Sequence, residues 1–340
     1  MLYQSFQNSM FATYLLLLKQ LVKEREMQWE RVVVAIEEAL LAAYKKNPGS
    51  SPNAQVKMDR TSGHIEVKVT ELDVEGKVVR EFDDTPADFA RVAAATAKQV
   101  LFLKMRDVKD DQVFKDFLKR ENTIISGVIQ QGKDPSLIDV KIADGVEGFI
   151  PVQEQVPGEV YEHGSRIKCF IVSVRKGQKG PQITLSRTHP GLVKGLFELE
   201  APEVLQGVVE IVAVARESGH RTKIAVLTHD PQISPKGTCI GPMGQRVRNV
   251  MSELGGEKID IVDFSLDPVV FIANALSPAK VSSVTVVDQD LRSAQVIVPD
   301  FQLSLAIGRE GQNARLAARL TGWKIDIRSD AKPNSSAIVE

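Results

Sequence analysis

Hydrophobic residues recur with helical spacing near the start of the chain. Val33, Ile36 and Leu40 stand three or four positions apart, and this period predicts an amphipathic helix. Two helices are predicted within residues 10–46, and Asn47-Pro48-Gly49 ends the second of them. Alternating residues then predict three strands: Gln55–Asp59, His64–Thr70 and Lys77–Phe82.

A second helical segment follows these strands. Thr85 is a favourable N-cap and Pro86 is favourable at the first helical position. A further helical stretch, Asp110–Arg120, carries charges on most of its faces. Such a helix buries little surface, so it is predicted to connect two domains.

The hydrophobic period changes from helical to alternating after this connector. Five short strands are predicted, at Ile124–Gln130, Leu137–Ile142, Val146–Ile150, Arg166–Val174 and Gln182–Ser186. This number and spacing of strands fit an OB-fold barrel. OB barrels bind single strands by stacking bases on aromatic rings beside a basic groove. The candidate contacts are Phe149, Tyr161, His163 and Phe170, with Arg166, Lys168 and Arg175. The alternative is that Phe149 and Phe170 are core residues.

The last part of the chain contains an internal repeat. Ile240–Ile261 and Ile307–Ile327 share an Ile-Gly-x-x-Gly-Gln start and a Lys-Ile-Asp-Ile end. Strand candidates precede the two copies, at Lys223–Thr228 and Ala294–Val298. Each copy therefore predicts strand, helix, GXXG loop, helix and strand, and repetition of the flanks argues against two unrelated turns. A GXXG loop that clamps a nucleic-acid backbone is the signature of the KH domain.

The two loops and the helix starts behind them supply the other candidate RNA contacts. Glycine allows close approach of another backbone, and a helix N-terminus offers free N–H groups to phosphate. The first set is Gly241, Pro242, Met243, Gly244, Gln245, Arg246 and Arg248. The second set is Gly308, Arg309, Glu310, Gly311, Gln312, Asn313 and Arg315. Because the first loop holds no cation, carboxylates placed in the second loop are expected to weaken RNA binding more.

Composition limits the classes of function. The net charge is −1, so RNA affinity must come from local cations and backbone amides. Cys169 and Cys239 are far apart in the sequence, which favours reduced thiols in the cytoplasm. The five histidines form no metal-binding pattern, and no P-loop or other catalytic constellation is present. We therefore expect no metal, no cofactor and no enzymatic activity.

The apolar run Met10–Leu18 is too short to span a bilayer and is expected to be the buried face of a helix.

Acidic residues concentrate in the predicted N-terminal domain. They are Asp59, Glu66, Glu71, Asp73, Glu75, Glu81, Asp83, Asp84 and Asp88. Two interpretations stay open: a solvated face, or a protein-docking surface that repels RNA.

Boundaries follow from these changes of pattern. The predicted domains are 1–121, 122–188, 189–265 and 266–330, with a loose tail at 331–340. Residues 188–191 are predicted to form a short hinge before a helix at Gly191–Glu200.

This order of domains, with several local motifs, resembles the NusA family of bacterial transcription factors. Matching segments are Gly180–Ile183, Ser186–Pro190, Leu196–Glu200, Leu254–Ile261, Leu303–Gly308 and Leu320–Trp323. The resemblance covers about residues 28–330, and residues 1–27 match the family poorly. It implies a multidomain α+β fold: an α/β polymerase-docking domain, an S1-type OB barrel and two tandem type II KH domains.

The resemblance also implies a function and partners. The N-terminal domain is expected to dock on core RNA polymerase near the RNA exit channel, while barrel and KH domains grip nascent single-stranded RNA. Other antitermination factors and a ribosomal protein are further expected partners of a monomer. The first loop departs from the family pattern, because Pro242-Met243 stands where the family commonly has a basic residue. Arg246 and Arg248 are therefore expected to provide the phosphate contact at this loop. No acidic repeats follow the second KH domain, so self-inhibition by such a domain is not expected. A KH/OB factor in ribosome assembly or RNA processing is the alternative.

Overall fold

The computed structural model describes residues 19–20, 22–24, 27–47, 50–73, 77–86, 89–132, 134, 136–178, 180–330 and 336–338. The chain divides into two units, Met1–Val113 and Phe114–Glu340, and each is described by itself. The predicted apolar run at residues 10–18 lies outside the described residues.

The N-terminal unit packs helices on a three-stranded sheet. Its elements are α1 (Trp29–Tyr44), β1 (Ala54–Met58), β2 (Ile65–Leu72), β3 (Val78–Asp83) and the first part of α2 (Phe89–Leu118). The sheet order is β1-β2-β3, antiparallel throughout. Val33, Ile36 and Leu40 are fully buried in one cluster with Val67 and Val69. The helical period and the strand alternation that predicted these elements therefore meet in one core.

The prediction of a separate connecting helix at Asp110–Arg120 was wrong in one respect. Residues 89–118 form one continuous helix, α2, where two helical stretches were predicted. Neither Gly nor Pro interrupts Asp110–Leu118, so a change from apolar to charged faces does not end the helix. Thr85 Oγ1 accepts a hydrogen bond from Val67 N at 2.8 Å, and residues 87–88, between Thr85 and α2, lie outside the described residues.

The predicted barrel is present and closed. Its strands are β4 (Ile124–Gln130), β5 (Leu137–Ala143), β6 (Val146–Pro151), β7 (Arg166–Gly177) and β8 (Gly180–Ser186). They follow the order β4-β5-β6-β8-β7, and the alternating inward residues are buried. Gly127 faces this interior, where an added Cβ would lie 2.4 Å from Val140 Cγ1. The end of α2 belongs with the barrel, since Glu121 accepts a hydrogen bond from Val174 N at 2.6 Å.

Each KH domain has the order helix, strand, strand, helix, helix, strand, and in the first domain a short second helix precedes the first strand. The first comprises α3 (Pro190–Glu200), α4 (Pro202–Leu205), β9 (Val209–Glu217), β10 (Arg221–Thr228), α5 (Pro235–Ile240), α6 (Gln245–Glu253) and β11 (Lys258–Asp263). The second comprises α7 (Pro268–Ala275), β12 (Ser283–Asp288), β13 (Ser293–Val298), α8 (Asp300–Ile307), α9 (Gln312–Thr321) and β14 (Lys324–Ser329). In both sheets the two strands that flank the helix pair run parallel.

The repeat pattern missed the outer elements of both KH domains. Strands β9 and β12 and helix α7 were not predicted, because the repeated sequence begins only at the following strand. The tail prediction was also incomplete. Ser336–Ile338 form strand β15, which pairs antiparallel with β14.

One hydrophobic cluster joins the two KH domains. Ala215, Ala225 and Val262 of the first sheet cluster with Ile272 and Leu316 of the second domain. Lys223, fully buried on β10, donates to Ser277 O at 2.7 Å across the same boundary. Tandem KH domains in this chain are therefore a single packed body.

The predicted hinge at residues 188–191 is rigidly held. The His189 ring stacks on Phe170 of β7 with centroids 4.2 Å apart, and its Nδ1 accepts the Gly191 N–H at 3.0 Å. Arg187 is buried, with a side chain only 2% exposed, and donates to Lys168 O and Glu253 O, both at 2.8 Å. The hinge prediction was wrong because its polar residues cap α3 and join the barrel to the first KH domain.

Candidate nucleic-acid interface

The two GXXG loops have the same backbone conformation. Gly241 and Gly308 both have ψ 173°, with φ 75° and 76°. This is a region that only glycine occupies readily. Met243 and Glu310 follow in left-handed geometry at φ 52° and 53°. Although the loop residues differ, the glycines and the helices that flank them impose one shape on both copies.

The helix behind each loop begins without a side-chain cap. Gly244 precedes α6 and Gly311 precedes α9, and both N-caps are left-handed glycines with no capping side chain. The first N–H groups of a helix have no partner within the helix. Together with the helix dipole they favour an anion at this position. Gln245 N and Gln312 N already bond Pro242 O and Arg309 O, so a phosphate at either loop would meet the N–H groups that follow them in the helix.

The middle residues of both loops face solvent. The Arg309 and Glu310 side chains are 93% and 82% exposed and lie 3.7 Å apart. Met243 is 91% exposed. These side chains support no packing in the described structure, so they are available for a ligand.

Two predicted contacts, Arg246 and Asn313, occupy equivalent positions in the repeat and are used inside the protein. Arg246 donates to Thr238 O at 2.9 Å and pairs with Glu203. Asn313 is 2% exposed, and its amide nitrogen donates to Leu276 O and Ala306 O. Both side chains anchor the helix ahead of the loop. For Asn313 this burial argues against direct contact with RNA.

Arg248 and Arg315 also occupy equivalent positions, yet their surroundings differ. Arg248 is exposed and leans over the first loop, where its Nη1 would lie 3.0 Å from a Cβ added to Gly244. Arg315 donates from Nε to Glu217 of β9 at 2.6 Å and from Nη1 to Glu310 O at 3.2 Å. Gln312 donates to the same carboxylate at 2.9 Å. Of Arg246, Arg248 and Arg315, the predicted arginines behind the two loops, Arg248 is the one that forms no ion pair with the residues that the structure describes.

Two of the predicted RNA contacts in the barrel, Phe149 and Arg166, lie on its outer face. Phe149 of β6 lies opposite Asp139 of β5. Lys141, two residues further along β5 and on the same face, lies opposite Val128 of β4. Val128 in turn lies opposite Arg166 of β7. Residues opposite each other in a ladder share a face, so Phe149 and Arg166 belong to the outer surface of β4–β7. Phe149 is half-buried and Arg166 is exposed. His163 is exposed in the loop before β7.

Other barrel candidates are used internally. Lys168 pairs with Glu253 of the first KH domain at 2.7 Å. Phe170 is buried against His189, which agrees with the core alternative. Tyr161 donates its hydroxyl to Glu159 at 2.7 Å. The carboxylate partner of Lys168 was missed because Glu253 lies far from it in the sequence and no local pattern links the two residues.

The titratable groups of this unit are tuned by burial and pairing. The hydrogen bond from Arg315 holds the pKa of Glu217 below its usual value, and burial opposes that effect. Burial raises the pKa of Cys169 to about 12 and that of Cys239 to about 11. Both thiols therefore stay protonated and unreactive at neutral pH.

Within the described ranges, no group of three or more His, Cys, Asp or Glu side chains could hold a metal ion. None of the described helices is both long enough and apolar enough to cross a membrane.

The architecture defines a class: multidomain proteins that join an OB-type barrel to tandem KH domains. Family descriptions match three segments, the NusA N-terminal domain at residues 14–79 and NusA-like first and second KH domains at 187–264 and 268–335. The chain is 54% identical to the transcription termination/antitermination protein NusA of Mycobacterium bovis over 316 residues, which cover 91% of each chain. It is 47% identical to that of Bacillus subtilis over 333 residues, covering 91% of this chain and 89% of the relative.

The solution structure of the N-terminal domain of NusA from B. subtilis is 33% identical, with a TM-score of 0.25, covering 29% of this chain and 97% of that one. Because of the identity and coverage of the full-length relatives, the chain belongs to the NusA family of transcription termination/antitermination proteins. Membership favours a role in transcription over ribosome assembly or RNA processing.

Proposed function

We propose that this protein docks on core RNA polymerase through its N-terminal unit and grips nascent single-stranded RNA with the barrel and both KH domains. In this way it would modulate pausing, termination and antitermination in the cytoplasm. The matched geometry of the two GXXG loops, each at an uncapped helix N-terminus, is the observation that carries the RNA-binding part. The family of the chain supports the polymerase part.

A double substitution in the second loop tests the RNA contact. Arg309→Asp with Glu310→Asp places two carboxylates where a phosphate would sit. Both positions are exposed, and Asp tolerates left-handed geometry better than most residues. Thermal stability should therefore stay nearly unchanged, within about 0.5 kcal/mol. Affinity for a pool of short single-stranded RNAs, measured by fluorescence anisotropy, should fall sharply.

Pro242→Asp with Met243→Asp is the matched change in the first loop. From the sequence alone, this variant was expected to lose less RNA affinity than the second-loop variant. The contacts in the structure favour a larger loss, because Arg248 beside the first loop forms no ion pair with the described residues. If neither double variant alters RNA affinity, the loops are only turns and the RNA-binding proposal fails.

The polymerase contact is proposed for the N-terminal unit. Its acidic residues divide into two groups. Asp59 accepts hydrogen bonds from Thr61 N at 2.9 Å and from the Ser62 backbone, and Asp84 accepts from the Tyr44 hydroxyl, so these two stabilise the fold. Glu71 and Glu81 are exposed and are available for a partner. Between residues 59 and 88 the carboxylates outnumber the Lys and Arg side chains, and a local excess of negative charge disfavours RNA.

Two fragments separate the two proposed activities. Residues 1–121 should retain RNA polymerase in a pull-down and should not bind RNA, whereas residues 122–340 should do the reverse. Circular dichroism of each fragment checks that it folds. Equal RNA affinity in both fragments would contradict the division.

We also propose that the protein catalyses no reaction on RNA. Metal-dependent RNA turnover that is lost on a point substitution in this chain would refute this proposal.

A further inference from the structure

One carboxylate of the first KH domain controls the charge beside the loop of the second. We propose that Glu217 neutralises Arg315 and thereby makes the two GXXG loops unequal, so that the first loop provides most of the electrostatic grip on RNA. This inference rests on the proposed binding of RNA at the loops. It gives Glu217 a positioning role, because Glu217 acts through Arg315.

The contacts of Glu217 converge on the helix behind the second loop. Its Oε1 accepts from Arg315 Nε at 2.6 Å, and its Oε2 accepts from Gln312 Nε2 at 2.9 Å. Arg319 Nη1 lies 3.8 Å away. The Glu217 side chain is only 17% exposed, so solvent screens the pair less than it screens a surface pair. The lowered pKa of Glu217 keeps the carboxylate ionised at neutral pH.

Arg315 is close enough to the loop for its charge to matter there. Its Nη1 donates to Glu310 O at 3.2 Å, inside the GXXG segment. A free guanidinium at this distance would attract phosphate and release a counterion on binding. Paired with Glu217, which also lies 3.8 Å from Arg319, Arg315 contributes less positive charge at the loop than a free guanidinium would. Arg309 has its own acidic neighbour, Glu310.

The first loop lacks this arrangement. Arg248 occupies the position equivalent to Arg315, is exposed, and makes no ion pair or hydrogen bond with the described residues. The φ angles of the corresponding glycines and of Met243 and Glu310 are nearly identical, and their ψ angles differ by about 10° at most. The difference between the loops is therefore one of charge and not of shape, and it arises from a residue of the neighbouring domain.

Glu217→Gln removes the charge while leaving an oxygen that can accept from Arg315. In the full-length chain this variant should bind a pool of short single-stranded RNAs about threefold to tenfold more tightly at low salt. The slope of log affinity against log salt should steepen by about 0.7, the value for one additional phosphate on a single strand. Glu210→Gln is the matched control, since Glu210 is exposed at the other end of β9 and the change in net charge is identical.

Two arginine variants complete the design. Loss of the whole ion pair, in Glu217→Gln with Arg315→Gln, leaves the local net charge unchanged and should alter RNA affinity less than about twofold, whereas Arg248→Gln should weaken it about threefold to tenfold and flatten the slope by about 0.7. Arg315→Gln in the Glu217→Gln background should remove the gain. Thermal unfolding of each variant checks that the KH body stays folded.

The outcomes distinguish this inference from the proposed function. An unchanged or weaker affinity for Glu217→Gln, or an equal loss for Arg248→Gln and for the double variant Glu217→Gln with Arg315→Gln, overturns the role of Glu217. An equal gain for Glu210→Gln also overturns it, because the effect would then be one of net charge. If Arg248→Gln and the second-loop double variant both leave binding intact, RNA binding at the loops itself is refuted.

Discussion

At the scale of single residues, the two glycines of one loop make different demands on the chain. Gly308 has φ 76° and ψ 173°, and an added Cβ would lie 2.8 Å from the backbone nitrogen of Asn313. Gly311 has φ 73° and ψ 9°, and nothing lies within 4 Å of its added Cβ. The first conformation is essentially restricted to glycine, whereas the second is the ordinary left-handed region.

We therefore predict unequal costs for two alanine substitutions. Gly308→Ala should lower the free energy of unfolding by about 3 kcal/mol, because strain and a clash with rigid backbone add together. Gly311→Ala should cost about 1 kcal/mol, from the left-handed φ alone. Urea denaturation of both variants measures the difference. Equal losses would show that the loop relaxes around Gly308.

Glycines were the residues that the sequence predicted best, since their spacing repeats and their geometry is local. The arginines were predicted less well. Arg246, Arg248 and Arg315 look alike in the sequence, but within the described part of the chain Arg248 alone of the three has no carboxylate partner. Their partners, Glu203 and Glu217, come from distant parts of the chain, so only the folded structure separates a free cation from a neutralised one.

At the scale of elements, strands and helices with a clear period were predicted within a few residues. The five barrel strands and the helix pairs around both loops were placed from alternation and glycine spacing. The prediction of a hinge at residues 188–191 was wrong because Thr, His, Pro and Gly are typical of loops. Here they cap α3 and stack against β7, and tertiary contacts decide between these two uses.

This junction predicts a pH dependence of stability. Burial against Phe170 lowers the pKa of His189 below its usual value, and Nδ1 must stay unprotonated to accept the Gly191 N–H. The unfolded chain therefore binds this proton more readily than the folded one. The contribution of His189 is fully present above about pH 6.5 and is lost as the pH falls through the folded pKa.

The urea midpoint should accordingly be higher at pH 7 than at pH 5. His189→Asn keeps a capping oxygen without a titrating ring, so this variant should show a smaller difference between the two pH values. His163→Asn changes an exposed histidine and serves as the control. An unaltered pH dependence in His189→Asn would assign the effect to other groups.

At the scale of the whole molecule, a net charge of −1 and extensive pairing limit the electrostatic part of RNA binding. Arg166, Arg248 and Arg309 are exposed on the proposed surface, whereas Lys168, Arg246 and Arg315 are paired with carboxylates. The barrel and both KH domains pack as one body, so these three exposed cations are held at fixed places on it. Backbone N–H groups and base stacking must supply the rest of the affinity, and neither depends strongly on salt.

We therefore predict a modest salt dependence for RNA binding. About three to five neutralised phosphates, each adding about 0.7 on a single strand, give a log–log slope of roughly −2 to −3.5. Anisotropy titrations of the full-length chain against short single-stranded RNA, over a series of salt concentrations, measure this slope. A slope near about −8 would require many more phosphate contacts than these cations can make. It would mean that RNA follows a different and more basic path across the protein.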